Sequence, residues 1–150
     1  MEQHANESTT SATDGYRFEM PVRWGDLDAL NHVNNTVFFR YMEEARVRCF
    51  SIAGVGAPGS GRDFVLAHSA CDFLRPILWP ATVQIVMRLT RLGRSSLEHE
   101  AEIHVLGDSE GPCARARNIV VGISTETGRS APWTPEEIQG ITRTLGAPVA

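Results

Sequence analysis

The spacing of apolar side chains is the feature that most constrains the fold of this chain. One segment has the period of a helix, and the four segments that follow it alternate as strands do. From Asn35 onward, apolar side chains recur at the offsets of a single helix face, at Phe38, Tyr41, Met42, Ala45 and Cys49. Glu44 and Arg48 stand four residues apart on another face, in the order that favours an ion pair. Because glycines crowd residues 53–61, we expect one long amphipathic helix that ends there.

Apolar and polar residues alternate in the extended segments around this helix. One segment precedes it at residues 17–24, with Phe18, Met20, Val22 and Trp24 on one side. Four more follow it, at residues 63–74, 81–92, 95–106 and 112–123. The turns between these four are too short for parallel crossovers, so we predict an antiparallel meander.

A short second helix is expected at Thr134, where Thr-Pro-Glu-Glu supplies an N-cap, a proline at the first helical position and two acids. The order is then strand, long helix, four strands and short helix. Since the long helix must bury its apolar face against the sheet, the fold class is α+β in two layers. Residues 16–150 are expected to form a single domain. Residues 1–15 are polar and are expected to form a disordered tail.

Composition excludes several function classes. The 14 basic residues are all arginine, and they face 18 acidic residues for a net charge of −4, which disfavours a general nucleic-acid binder. Cys49, Cys71 and Cys113 form no metal-ligand spacing, and no metal or other cofactor is expected. The sequence has neither a secretory signal nor an apolar segment approaching the roughly 20 residues of a membrane span. We therefore expect a cytoplasmic protein.

The densest polar stretch is the loop that enters the long helix, residues 24–35, with the sequence WGDLDALNHVNN. Unpaired amides at a helix N-terminus can hold an anion or polarise a carbonyl group. A carboxylate beside them, such as that of Asp28, could attack the carbonyl or activate a water. The alternative is that Asp28, Asn31 and Asn34 only cap the helix and complete the turn, which is the commoner use of such residues.

The run WGDLDALNHVNNTVFFRYMEEAR closely resembles the signature of the hotdog-fold acyl-CoA thioesterases of the 4-hydroxybenzoyl-CoA thioesterase-like family. That family shows a turn of the type D-x-D-x-x-G-H-V-N-N, followed by an aromatic-rich helix. The resemblance extends through the Gly-Arg-Ser-Ser of residues 93–96 and covers about residues 22–123. It implies a hotdog fold, in which one long central helix is wrapped by a five-stranded antiparallel sheet.

The resemblance also implies site residues. Asp28 matches the family's catalytic carboxylate, acting as nucleophile or as general base toward water, and the amide near Asn35 matches the group that polarises the thioester carbonyl. Glu43 aligns with an acid whose role varies between branches, and an exposed helical acid is its alternative. His32 matches a histidine in the turn of plant-type acyl-ACP thioesterases, but Leu30 stands where those enzymes have asparagine. A positioning or solvated role suits His32 better than a metal ligand.

Five polar residues are candidates for contact with coenzyme A. In hotdog thioesterases, basic side chains on the surface hold the phosphates of the nucleotide, which implies substrate-binding roles for Arg91, Arg94, Arg115 and Arg117, with Ser95 near the pantetheine. The alternative is a solvated arginine surface. The acyl chain is expected between the helix and a partner subunit, near Phe38 and Phe39.

The resemblance thus predicts hydrolysis of acyl-CoA thioesters to a free acid and CoA. An acyl-ACP thioesterase remains open, because an acidic acyl carrier protein could dock on the arginines. A non-catalytic acyl-CoA or acyl-carrier binding protein is a further alternative, although it would have no use for the Asp28 carboxylate. A homodimer or homotetramer is expected, since the sheet leaves an edge strand that a second copy can pair with.

Overall fold

A computed structural model describes residues 15–148 as five strands and two α-helices in the predicted order. They are β1 (Tyr16–Pro21), α1 (Asn35–Ala53), β2 (Arg62–Phe73), β3 (Thr82–Leu92), β4 (Ser96–Val105), β5 (Ala114–Ser124) and α2 (Pro135–Leu145). The predicted tail, apart from Gly15, lies outside the described residues.

The five strands form one antiparallel sheet in the order β1-β3-β4-β5-β2. The prediction of a four-stranded meander was wrong, because β2 pairs with β5 and not with its neighbour in sequence, β3. The connection between them, residues 74–81, runs along one end of the sheet and is held by backbone hydrogen bonds to Cys113, Val33 and Val22. About eight extended residues span more than 25 Å, whereas three strand spacings need only about 14 Å. A short connection therefore reaches the far edge.

The first strand ends earlier than its alternating pattern predicts. Trp24 was placed on the apolar side of that strand, but it lies in a short 3-10 turn, Trp24–Asp26, and is 72% exposed. The turn forms because the carboxylate of Asp26 accepts a hydrogen bond from the Arg23 amide, which bends the chain away from the sheet.

The long helix α1 packs on the concave side of the sheet, as predicted. The predicted apolar face is almost fully buried, with every member at most 2% exposed: Phe38, Tyr41, Met42, Ala45 and Cys49. This arrangement of one long helix wrapped by a five-stranded antiparallel sheet is the hotdog fold. Helix α2 begins at the predicted Thr134 cap. Neither helix within residues 15–148 has the length and apolar character required to cross a bilayer.

Candidate functional site

The polar loop before α1 forms one wall of a cleft at the end of the sheet where β2 finishes. The cleft has a volume of about 340 Å³. Asp28, His32 and Asn35 line it from the loop and the helix start, and Phe73 and Arg75 line it from the end of β2 and the residues that follow. The structure therefore brings together three of the four predicted catalytic residues.

Asp28 is half-buried in this loop and its two carboxylate oxygens differ in surroundings. Oδ1 accepts a hydrogen bond from the Leu30 amide at 2.9 Å, which closes a tight turn. The backbone of Asp28 pairs with His32 and Asn31 across the same turn. Among the described residues, Oδ2 has no hydrogen-bond partner. The predicted turn role and the predicted chemical role are thus compatible, because only one carboxylate oxygen is used to close the turn and the residue lines the cleft.

The N-terminus of α1 supplies hydrogen-bond donors beside Asp28. Asn34 is the N-cap, and its Oδ1 accepts a hydrogen bond from the Thr36 amide at 2.9 Å. The Val37 amide donates to the Asn34 carbonyl. The Asn35 amide, the first of the helix, has no acceptor among the described residues. An unpaired amide at the positive end of a 19-residue helix can stabilise an oxyanion.

Asp26 holds this loop in place, a role that the sequence analysis did not assign to it. Its side chain is 4% exposed and accepts hydrogen bonds from the Tyr41 hydroxyl at 2.8 Å and from the Arg23 amide at 2.9 Å. Burial and the bond to Asp26 raise the pKa of Tyr41 far above its usual range, so the phenol stays protonated and donates. The contact ties the loop to the second turn of α1.

Arg75 is a cleft residue that the sequence pattern did not reveal, because it directly follows the predicted strand at residues 63–74 and belongs to no motif. Its guanidinium forms ion pairs with Asp108 at 2.9 Å and Glu110 at 3.2 Å. These partners compensate its charge and fix it as a wall of the cleft. The sequence also did not identify Phe73 as a cleft residue, because its position at the cleft depends on where β2 ends.

Glu43, the fourth predicted catalytic residue, does not lie in this cleft. It lines a separate cavity farther along α1, its side chain is 56% exposed, and its carboxylate is 3.5 Å from Arg40. Within one protomer, Glu43 and Asp28 do not share a site. The difference arises because Glu43 follows Asn35 by about two turns of helix.

Arg115 and Arg117 lie on the outer face of the sheet, where they pair with glutamates on β4. Arg117 contacts Glu98 through two nitrogens, and Arg115 lies 3.3 Å from Glu102. The pairing lowers the pKa of Glu98 and keeps it ionised. These two arginines thus have partners of opposite charge within the chain.

Arg91, Arg94 and Ser95 lie at the end of the sheet opposite the cleft. They surround the hairpin between β3 and β4, whereas Asp28 lies near the beginning of β3. An 11-residue strand separates the two ends by roughly 33 Å. Arg91 and Arg94 are exposed and, among the described residues, form no ion pair. In the part of the chain that the structure describes, no cluster of His, Cys, Asp and Glu could hold a metal ion.

Known proteins are similar to this chain in both sequence and architecture. The profile of the thioesterase-like superfamily matches residues 22–141. The uncharacterized protein YsmA of Bacillus subtilis (strain 168) is 30% identical over 128 residues, 84% of each chain.

Two solved structures are more similar in sequence. The PA2801 protein of Pseudomonas aeruginosa is 38% identical with a TM-score of 0.75, and the match covers 82% of this chain and 94% of that one. A thioesterase from Thermus thermophilus, solved with coenzyme A and Zn, is 37% identical with a TM-score of 0.71, covering 83% and 95%.

Proposed function

Since the chain belongs to the thioesterase-like superfamily, we propose that it hydrolyses acyl-CoA thioesters to a free acid and CoA. Family membership supports thioesterase activity. The observation that carries the finer proposal is that Asp28 and Asn35, the first residue of α1, line the same cleft. A carboxylate and an oxyanion donor are the two groups that attack on a thioester requires.

Asp28 has two possible roles in this reaction. As general base, it takes a proton from water while the water oxygen attacks the carbonyl carbon; the C–S bond then breaks and the thiolate takes up a proton. As nucleophile, its oxygen attacks the carbonyl and expels the thiolate, and water then hydrolyses the mixed anhydride. In either route the Asn35 amide would donate to the carbonyl oxygen as negative charge develops there. His32, in the same cleft, would position the loop or the substrate.

The predicted CoA contacts suit a site shared between two copies. Strand β2 is a free edge of the sheet, and antiparallel pairing of two β2 strands would place each cleft at the same end as the partner's β3-β4 hairpin. Arg91, Arg94 and Ser95 of one copy would then approach the substrate in the other. The paired Arg115 and Arg117 are weaker candidates, because a CoA phosphate would have to compete with Glu98 and Glu102.

Thiol release from a panel of aliphatic and aromatic acyl-CoAs tests this proposal, with Asp28→Asn as the informative variant. Asparagine keeps an oxygen for the Leu30 amide, so the turn should survive, but it cannot attack or take a proton. We expect turnover to fall by about 10²- to 10⁴-fold with no loss of folding. Asp72→Asn, an exposed acid on β2, is the matched control and should retain activity.

Full turnover by Asp28→Asn would contradict the role of Asp28. Binding without turnover across the panel would indicate a non-catalytic acyl-CoA binding protein. Hydrolysis of acyl-ACP but not of acyl-CoA would identify acyl-ACP as the substrate. Arg94→Ala separates the CoA contacts from the chemistry, since it should raise KM for acyl-CoA much more than it lowers kcat.

A further inference from the structure

A polar row crosses the otherwise apolar sheet surface beneath α1. His99 on β4 is directly opposite Asn118 on β5, and Asn118 is directly opposite Ser69 on β2. The Ser69 hydroxyl donates to Asn118 Oδ1 at 2.6 Å. Arg46 of α1 lines the same cavity as Ser69, and its charge contributes to the lowered pKa of His99. We call these four residues the polar row.

The polar row lacks hydrogen-bond partners that its burial requires. His99 and Asn118 are fully buried, yet His99 Nε2 and Asn118 Nδ2 have no hydrogen-bond partner within residues 15–148. Arg46 is 5% exposed and, among the described residues, its guanidinium forms no hydrogen bond or ion pair. Glu43 lines the same cavity and its charge acts on Arg46, but the Glu43 carboxylate forms its ion pair with Arg40. A buried cation without a hydrogen-bonded anion is costly, so the surroundings of Arg46 favour an anionic ligand.

The polar row adjoins a cavity of about 180 Å³ that Arg46 and Ser69 line. Phe73 lies between this cavity and the Asp28 cleft, because its ring packs on Phe38 of the cleft at 5.2 Å and on Phe39 of the cavity at 6.1 Å. Arg46 lies eleven residues after Asn35, or roughly 16 Å along the helix axis. An acyl chain that follows α1 from the helix N-terminus would have to cover this distance to reach Arg46, and a movement of the Phe73 ring would open its path.

We propose that the polar row binds a carboxylate at the far end of the acyl group, so that the preferred substrates are thioesters of dicarboxylic acids. This inference rests on the proposed thioesterase function. Arg46 lines the cavity beside Ser69 and supplies the donors for a carboxylate, and the cation favours an anion over a neutral group.

The test compares two series of acyl-CoA thioesters of matched length, one ending in methyl and the other in carboxylate. We expect the wild-type protein to prefer the carboxylate series by at least about tenfold in kcat/KM at the optimal length. Arg46→Met keeps an unbranched side chain without the charge, and it should reduce kcat/KM for the carboxylate series by about 100-fold while leaving the methyl series nearly unchanged. Asn118→Ala should act in the same direction.

Arg48→Met is the matched control, because Arg48 lies on the same helix but is exposed and paired with Glu44. It should leave both series unchanged. The Tm of unliganded Arg46→Met should be equal to or higher than that of the wild type, whereas a structural role for Arg46 would lower it. Equal kcat/KM for the two series in the wild type would overturn the carboxylate site alone.

A thermal-shift measurement with the same thioesters separates the two proposals. A larger shift with the carboxylate series but no hydrolysis would overturn the thioesterase function and support the carboxylate site. If Arg46→Met instead loses the oligomer and activity falls equally for both series, Arg46 contacts a second copy of the chain and the carboxylate site is overturned.

Discussion

At the scale of single residues, His99 couples stability to pH. Its ring is fully buried, and burial together with the nearby Arg46 charge lowers its pKa from 6.5 to about 4. The folded protein thus keeps His99 neutral over a range in which the unfolded chain takes up a proton. The free energy of unfolding should fall as the pH decreases from 6.5 to about 4, by about 3 kcal/mol in total from this group.

Urea unfolding at pH 7 and at pH 5 measures this effect. In His99→Gln the decrease in unfolding free energy between the two pH values should be smaller, because the group that discriminates between the folded and unfolded states is gone. His68→Gln changes an exposed histidine on β2 and should keep the wild-type decrease. Identical pH dependence in His99→Gln and the wild type would show that His99 does not carry this linkage.

Residue identity predicted the candidate site only in part. The loop sequence singled out Asp28, His32 and Asn35, and the structure places them in one cleft. Asp26 looked equivalent to the other turn residues, because a sequence does not show which carboxylate is buried against a tyrosine fifteen positions away. The sequence also could not show that Arg46 has no ion-pair partner among the described residues, since this depends on the distance between a helix and three strands.

At the scale of elements, a comparison of the two helix caps distinguishes an effect on stability from an effect on activity. Asn34 caps α1 beside the cleft, and Thr134 caps α2 through a capping box with Glu137. Asn34→Ala and Thr134→Ala should each cost about 1 kcal/mol of unfolding free energy in a urea titration. Only Asn34→Ala should also lower kcat, because it loosens the helix end that presents the Asn35 amide. Equal kcat in both variants would argue against an oxyanion role for that amide.

The contact between the two helices depends on Gly140 of α2. A Cβ at this position would lie 1.8 Å from the carbonyl oxygen of Ala53, the last residue of α1. Alanine favours helix over glycine by up to about 1 kcal/mol. Gly140→Ala should nevertheless destabilise the protein by about 1 to 3 kcal/mol, because the helices must separate.

A melting curve and a urea titration measure this loss. Gly25→Ala is the control, since a Cβ there meets no atom within 4 Å, and it should leave Tm nearly unchanged. A Gly140→Ala variant more stable than the wild type would mean that α2 does not pack as closely as the structure indicates.

Element types were predictable from periodicity, but the pairing of β2 was not. Alternation in residues 63–74 identifies a strand, and it is the same whether its neighbour is β3 or β5. Short connections favoured the sequential neighbour. The connection instead runs along the end of the sheet through backbone hydrogen bonds, which no side-chain pattern records.

At the scale of the whole molecule, the pairing of β2 with β5 leaves an apolar edge. Val65 and Leu66 on β2 are 44% and 42% exposed, and Phe73 is 41% exposed. A long edge strand that carries apolar side chains is a surface for pairing with another strand. Because each predicted active site would receive its CoA contacts from the partner, association and activity should be lost together.

Val65→Arg tests this coupling, because it places a charge on the edge without touching the cleft. We expect light scattering to show a smaller assembly than that of the wild-type protein, and KM for acyl-CoA to rise in proportion to the dissociated fraction. Leu106→Arg is the matched control, since Leu106 is 43% exposed but follows β4 outside the β2 edge. It should keep both the assembly and the activity. If Val65→Arg became monomeric with unchanged KM, the active site would be complete within one chain, and Arg91 and Arg94 could not contact the substrate from across the interface.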